Sequence, residues 1–260
     1  MKPSLNQNNK QSSKPNTRMS YNPFITIVLT VSVYIVAQIA AVLAISLIFF
    51  VFGMSADDAE AWITNGSIGT FVLYAVVSSV IFILIRKILK RQNVSWGDIG
   101  FDGFKAEYVL KSFLAYIAYL AALFVVVGVV SALLPGLDTR QKQQLGFDSQ
   151  TQSHYLILVF MSLVILPPLI EETLMRGFMF TNLRNKLHFL PATMLTSIVF
   201  AAAHLQLGSG AKLLWIAALD TLILSLFLCY LREKSDSLWP CILLHGIKNT
   251  VAFLFLFVFA

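Results

Sequence analysis

Charge is what this sequence lacks. Only 12% of its 260 residues are charged and 57% are hydrophobic, against about 25% and 45–50% in an ordinary soluble domain. So few charges cannot cover a water-facing surface of this size, and the same figures exclude disorder and a coiled coil. Cysteine is scarce too. Cys229 and Cys241 both lie in apolar runs, which reads as two buried thiols and excludes a disulfide scaffold. Acidic residues number 13 against 19 basic ones, for a net charge of +6. The basic residues flank apolar runs instead of gathering in one patch, which points to a lipid bilayer as partner and away from nucleic acid. What remains is an all-α, polytopic transmembrane helical bundle.

The runs themselves set the organisation. Residues 1–22 are polar, carry Lys2, Lys10, Lys14 and Arg18, and contain no acid, as expected of a disordered cytoplasmic tail. Residues 24–52 carry no charge at all. A secretory signal's apolar region is only about 7–15 residues, so this is a retained first span, long enough to tilt or to include a re-entrant piece. Further candidates are 68–85, 112–134, 155–170, 189–207, 213–231 and 238–259, giving about seven to eight spans.

With the N-terminus inside, fourteen basic residues fall in inner segments, among them Arg86, Lys87, Lys90, Arg91, Arg184 and Arg232. Only Arg140, Lys142 and Lys212 lie outside. The first outer loop is acidic at Asp57, Asp58 and Glu60. The positive-inside rule thus predicts a multi-pass protein of the plasma or inner membrane with a cytoplasmic N-terminus. Ionisable residues inside spans concentrate late in the chain. The expected division is a tail (1–22), an anchoring region of about three spans (23–152) and a functional bundle of about four (153–260).

Charged groups persist in hydrocarbon only where they face a bundle interior or a wet cavity. Three clusters qualify: Glu171-Glu172-Thr-Leu-Met-Arg176, Phe200-Ala-Ala-Ala-His204 and His245-Gly-Ile-Lys-Asn249. Glu172 and Arg176 are four apart, share a helix face and can neutralise each other. Glu171 sits about 100° round the helix, outside that pair. Pro167 and Pro168 precede it and each removes a backbone donor, opening the helix beside Glu171. In a blander reading the prolines only kink the span and the acids mark its end. Phe200 lies one turn before His204 and can wall its pocket, and His245 and Asn249 share a face. At 1.5 Å per residue, Glu171 lies roughly 20 Å and His204 roughly 24 Å from the inner ends of their helices. His245 and Asn249 lie about 10 and 16 Å from theirs. All four fall within a core of about 30 Å.

These three motifs, in this order on successive spans, resemble the CPBP family of intramembrane proteases, which includes the CAAX prenyl endopeptidases and bacterial bacteriocin-immunity (Abi) proteins. The likeness covers roughly residues 153 to 260. It implies hydrolysis of a peptide bond in a membrane-associated peptide substrate by an activated water. Glu171 would be the general base, His204 would orient the water or share its proton, and His245 and Asn249 would donate to the oxyanion. Glu172, Arg176 and Phe200 would support them.

A zinc site with Glu171, His204 and His245 as ligands is the rival mechanism. The sequence lacks the tight His-Glu-x-x-His spacing of many such sites, and the favoured reading requires no cofactor. A non-proteolytic immunity or scaffold protein of the same fold is the alternative function. A transporter ranks last, because no inverted repeat shows. Its candidate proton carrier, Asp220, more simply bonds a facing helix, and Lys248 snorkels or pairs with an acid such as Asp220.

Overall fold

The computed structural model describes residues 19, 21–139, 141, 146–147, 153–206 and 212–259. The expectations for residues 1–18, including Lys2, Lys10, Lys14 and Arg18, and those for Arg140, Lys142 and Leu207, lie outside the described residues. Helices α1 (Pro23–Val51), α2 (Ala56–Asn65), α3 (Ser67–Arg91) and α4 (Glu107–Leu133) come first. They are followed by α5 (Ser153–Arg184), α6 (Phe189–Ala203), α7 (Trp215–Ser235) and α8 (Trp239–Val258). No strand occurs among the described residues.

Six of these, α1, α3, α4, α5, α7 and α8, are long and apolar enough to cross a membrane. The expected seven to eight spans are corrected on this point. The candidate at 189–207 is a 15-residue helix, about 22 Å long at 1.5 Å per residue, because it ends at His204. The first apolar run is one uninterrupted helix and holds no re-entrant piece. It begins where Asn22 Oδ1 accepts from Ile25 N at 2.8 Å, with Pro23 as its first residue. Proline suits that place because its missing donor would be unpaired there anyway.

Each early helix buries one narrow stripe. Thr26, Thr30, Val33, Ala37, Ala41 and Ile45 are the buried residues of α1, and Val77, Ile81, Ile85 and Leu89 form the matching stripe of α3. Alanines and hydroxyl side chains let the backbones approach closely, and van der Waals packing replaces the hydrophobic drive that lipid does not supply.

Helix α5 is the wall shared by both halves, with every residue from 172 to 184 buried. Ile170, Leu174 and Phe178 pack with the α1 and α3 stripes. Met175, Met179, Phe180 and Leu183 pack instead with Phe200, Leu224, Leu228 and Leu244 of the later helices. Helix α4 also joins the later helices, where Ser112 Oγ donates to Pro240 O at 2.9 Å. At the far end of α5, Arg184 grips Glu233 of α7 at 2.8 and 2.7 Å. Nearby, Leu238 N donates to Gly100 O at 2.8 Å. Gly100 has φ +102° and a Cβ there would lie 3.0 Å from the Arg232 guanidinium, so glycine is required for both reasons.

Candidate functional site

Helix α5 is not a uniform α-helix. Met161–Ile165 and Thr173–Phe180 are π-helical and bracket Leu166–Glu172, which holds Pro167 and Pro168. Wide turns of this kind form where the i to i−4 ladder is interrupted, and they re-aim the side chains beside them. The sequence expectation of a helix opened next to Glu171 takes this form, with no break in the rod.

Glu172 and Arg176 meet as their spacing predicts, at 3.0 Å with neither side chain exposed. The same Glu172 Oε1 lies 2.9 Å from His245 Nδ1, and Arg176 Nη2 donates to Ser225 Oγ of α7 at 2.6 Å. The Arg176 guanidinium also lies 4.6 Å from the centre of the Phe200 ring. One ion pair therefore ties α5, α6, α7 and α8 together. An unaccompanied charge would be prohibitive at this depth, whereas a paired and hydrogen-bonded one is tolerated.

Phe200 joins the motifs at its edges as well as its face. Its ring stands edge-on to His204 at 4.9 Å and to His245 at 6.0 Å between centroids. His204 Nδ1 lies 2.9 Å from Phe200 O. A carbonyl only accepts, so Nδ1 carries the proton and Nε2 keeps its lone pair when the ring is neutral. The same logic at His245, whose Nδ1 faces the arginine-paired Glu172, leaves Nε2 unprotonated in the neutral ring. His245 can donate to an oxyanion through Nε2 only as an imidazolium, which refines the role expected from the sequence.

Glu171 stands apart from the ion pair. It is half-buried, and its Oε2 is buried with no hydrogen-bond partner among the described residues. Lys248 of α8 pairs with Asp220 Oδ2 at 3.1 Å, and the other carboxylate oxygen of Asp220 accepts from the Tyr119 hydroxyl of α4. Both bland readings of Asp220 and Lys248 hold.

Asn249 Nδ2 donates to Leu163 O at 2.8 Å. That carbonyl is the one Pro167 leaves without its i+4 donor, and Pro168 cannot supply an i+5 donor either. One amide hydrogen of Asn249 is thus engaged with α5, and the second remains for chemistry. Among the described residues no group of three His, Cys, Asp or Glu side chains is placed to hold a metal ion.

Sequence reasoning missed the Ser225 acceptor of Arg176 and the backbone acceptor at Leu163. Only the last had a signal, in the paired prolines.

Residues 153–251 match the family model described as type II CAAX prenyl endopeptidase Rce1-like, within the CPBP group of CAAX proteases. The match begins with α5, contains Glu171, Glu172, Arg176, Phe200, His204, His245 and Asn249, and leaves α1 to α4 outside. No curated protein and no solved structure matches the chain.

Proposed function

We propose that this protein is an intramembrane endopeptidase that hydrolyses a peptide bond of a membrane-associated peptide or protein, with Glu171 activating the water. The observation that carries this reading is the buried Oε2 of Glu171, without a partner among the described residues, in a bundle that also holds a histidine whose Nδ1 is already committed. Two acceptors, a carboxylate oxygen and His204 Nε2, can take the two hydrogens of one water and leave an oxygen lone pair aimed at a carbonyl carbon. Glu171 takes one proton as the C–O bond forms. It returns that proton to the amide nitrogen as the C–N bond breaks.

The second hydrogen of the Asn249 amide and an imidazolium at His245 would donate to the tetrahedral oxyanion, where one donor is worth about 3 kcal/mol. Helices α5 to α8 then make up the catalytic unit of residues 153–260. Residues 23–152 anchor it, with a cytoplasmic N-terminus in the cell membrane.

The test is cleavage of a fluorogenic peptide library by the purified protein in lipid, comparing wild type, Glu171→Ala and a chelator-treated sample. Cleavage lost with Glu171→Ala and indifferent to chelator supports the glutamate mechanism. Loss in both favours a zinc mechanism. Cleavage that survives Glu171→Ala contradicts both, and absence of cleavage in wild type leaves the non-proteolytic scaffold as the function.

A further inference from the structure

Positive charge gathers at the C-terminal end of α3. Residues 61–85 are uncharged, and Arg86, Lys87, Lys90 and Arg91 then follow in quick succession. Phe82, Arg86 and Lys90 are spaced four apart, so they form one stripe along the helix with a rise of about 6 Å per step. Phe82 lies within the apolar run and is 43% exposed, whereas Arg86 is the first charge beyond that run. The helix stops after Arg91. There Asn93 takes φ +54°, which asparagine tolerates better than most residues, and the amides of Asn93 and Val94 bond back to Lys90 O and Leu89 O.

The chain then turns back on that stripe. Asp98 Oδ2 accepts from Ser95 N and Ser95 Oγ at 2.7 Å each, and Ser95 Oγ accepts from Asp98 N at 3.2 Å. The turn lays the Trp96 ring on Phe82, with centroids 4.7 Å apart and planes 9° from parallel. Between Trp96 and the helix lies a cavity of about 420 Å³ whose polar wall is Arg86, Lys90 and Asn93. Its floor, Leu89 and Val94, is buried in the cluster that holds Ile170, Leu174 and Phe178 of α5. No ion pair among the described residues involves Arg86 or Lys90. No acid lines the cavity, and the carboxylate of nearby Asp98 is engaged with Ser95.

We propose that this cavity binds the phosphate headgroup of an anionic phospholipid. Positive charge at the end of a span is by itself explained by membrane orientation and the helix dipole, and Lys87 and Arg91 need no other account. Arg86 and Lys90 differ because an aromatic ring closes over their stripe and leaves two cations in one concave site. A guanidinium grips a phosphate diester through two parallel hydrogen bonds, and Lys90 adds a compact charge. The Asn93 amide adds neutral donors. A lipid fits better than free phosphate because the stripe continues into the apolar depth at Phe82, where an acyl chain can lie below its own headgroup. Trp96 sits at the interfacial level that tryptophan favours, and basic pockets at this level take anionic headgroups. The site is separate from the hydrolytic reading and stands without it.

The test is thermal unfolding of the purified full chain in a neutral detergent as phosphatidylglycerol is added. Phosphatidylcholine, soluble glycerophosphoglycerol and inorganic phosphate are separate arms. A ligand of the folded state raises the melting temperature, and phosphatidylglycerol alone is expected to do so. Arg86→Gln/Lys90→Gln should raise the lipid concentration at half the full shift by roughly tenfold or more. Lys87→Gln/Arg91→Gln removes equal charge from beside the cavity and should raise it by about twofold or less. All four residues are exposed, so both variants are expected to fold, and each shift is read against the variant's own lipid-free melting temperature. Equal weakening in the two double variants overturns the proposal, since it marks diffuse attraction to charge. Equal stabilisation by phosphatidylcholine, glycerophosphoglycerol or inorganic phosphate overturns the assignment to an anionic lipid, and no stabilisation by phosphatidylglycerol overturns the site.

Discussion

Asn249 on α8 donates to the carbonyl of Leu163 on α5 at 2.8 Å, filling the place that Pro167 leaves empty in the helical ladder. A residue expected to serve chemistry alone therefore also ties two helices at the site. Asn249→Ala should strand a carbonyl whose only other donors in register are prolines, at about 1–3 kcal/mol. Thermal unfolding should show that loss. Aspartate at this position should be no better, because an ionised carboxylate offers no donor to the carbonyl. A melting temperature unchanged in Asn249→Ala would show that the bond carries no weight.

The adjacent acids should separate cleanly by substitution. Arg176→Met leaves Glu172 buried and uncompensated, and breaking such a pair costs about 3–5 kcal/mol. We expect poor recovery of folded protein from detergent extracts. Glu171→Gln removes a charge that has no ion-pair partner among the described residues, so it should preserve or raise the melting temperature while abolishing cleavage. Size-exclusion profiles with thermal melts distinguish the two variants. Equal destabilisation would contradict the division of labour.

Phe200 holds both imidazoles and the guanidinium in place. Phe200→Leu keeps an apolar side chain of similar reach but loses the ring face over Arg176, worth about 0.5–2 kcal/mol, and its two edge contacts. Activity should fall further than this loss of stability explains, since the two histidines proposed for catalysis lose one support together. A fall in kcat no larger than that of an exposed α6 variant such as Ile198→Leu would count against it.

One pH-dependent feature lies outside the spans. Asp58 caps α2, accepting from Ser55 N at 2.8 Å and Ser55 Oγ at 2.7 Å, and these hydrogen bonds hold its carboxyl below the ordinary value of 3.8. A depressed folded value stabilises the helix start above 3.8, and that contribution is lost as pH falls through the folded value. NMR titration of the Asp58 carboxyl should show the lowered midpoint, and Ser55→Ala should return it towards the ordinary value. Cleavage at neutral pH should not change in Ser55→Ala.

The apolar runs gave α1 and α8 to within a residue at each end, because in lipid every backbone group must be satisfied within its own helix. They stopped short of the charged ends of α3, α4 and α5, because charge beyond the run does not end the helix. The Glu172–Arg176 pair and the Phe200 contact with His204 were legible for a similar reason, since i,i+4 spacing fixes proximity within one helix. The His245–Glu172 bond and the use of Asn249 on a backbone carbonyl were not. Each depends on how separate helices are rotated about their axes, and an evenly apolar helix such as α1 gives no sign of which face meets protein. The end of α6 at His204 was hidden because apolar residues continue past it as Leu205 and Leu207.

The most direct measurement is mass spectrometry of a membrane-associated peptide incubated in H₂¹⁸O with proteoliposomes of wild type and of Glu171→Gln. Hydrolysis through Glu171 predicts fragments from wild type whose new C-terminal carboxyl carries ¹⁸O, and intact peptide with the variant. Labelled fragments in equal yield from both proteins would contradict it.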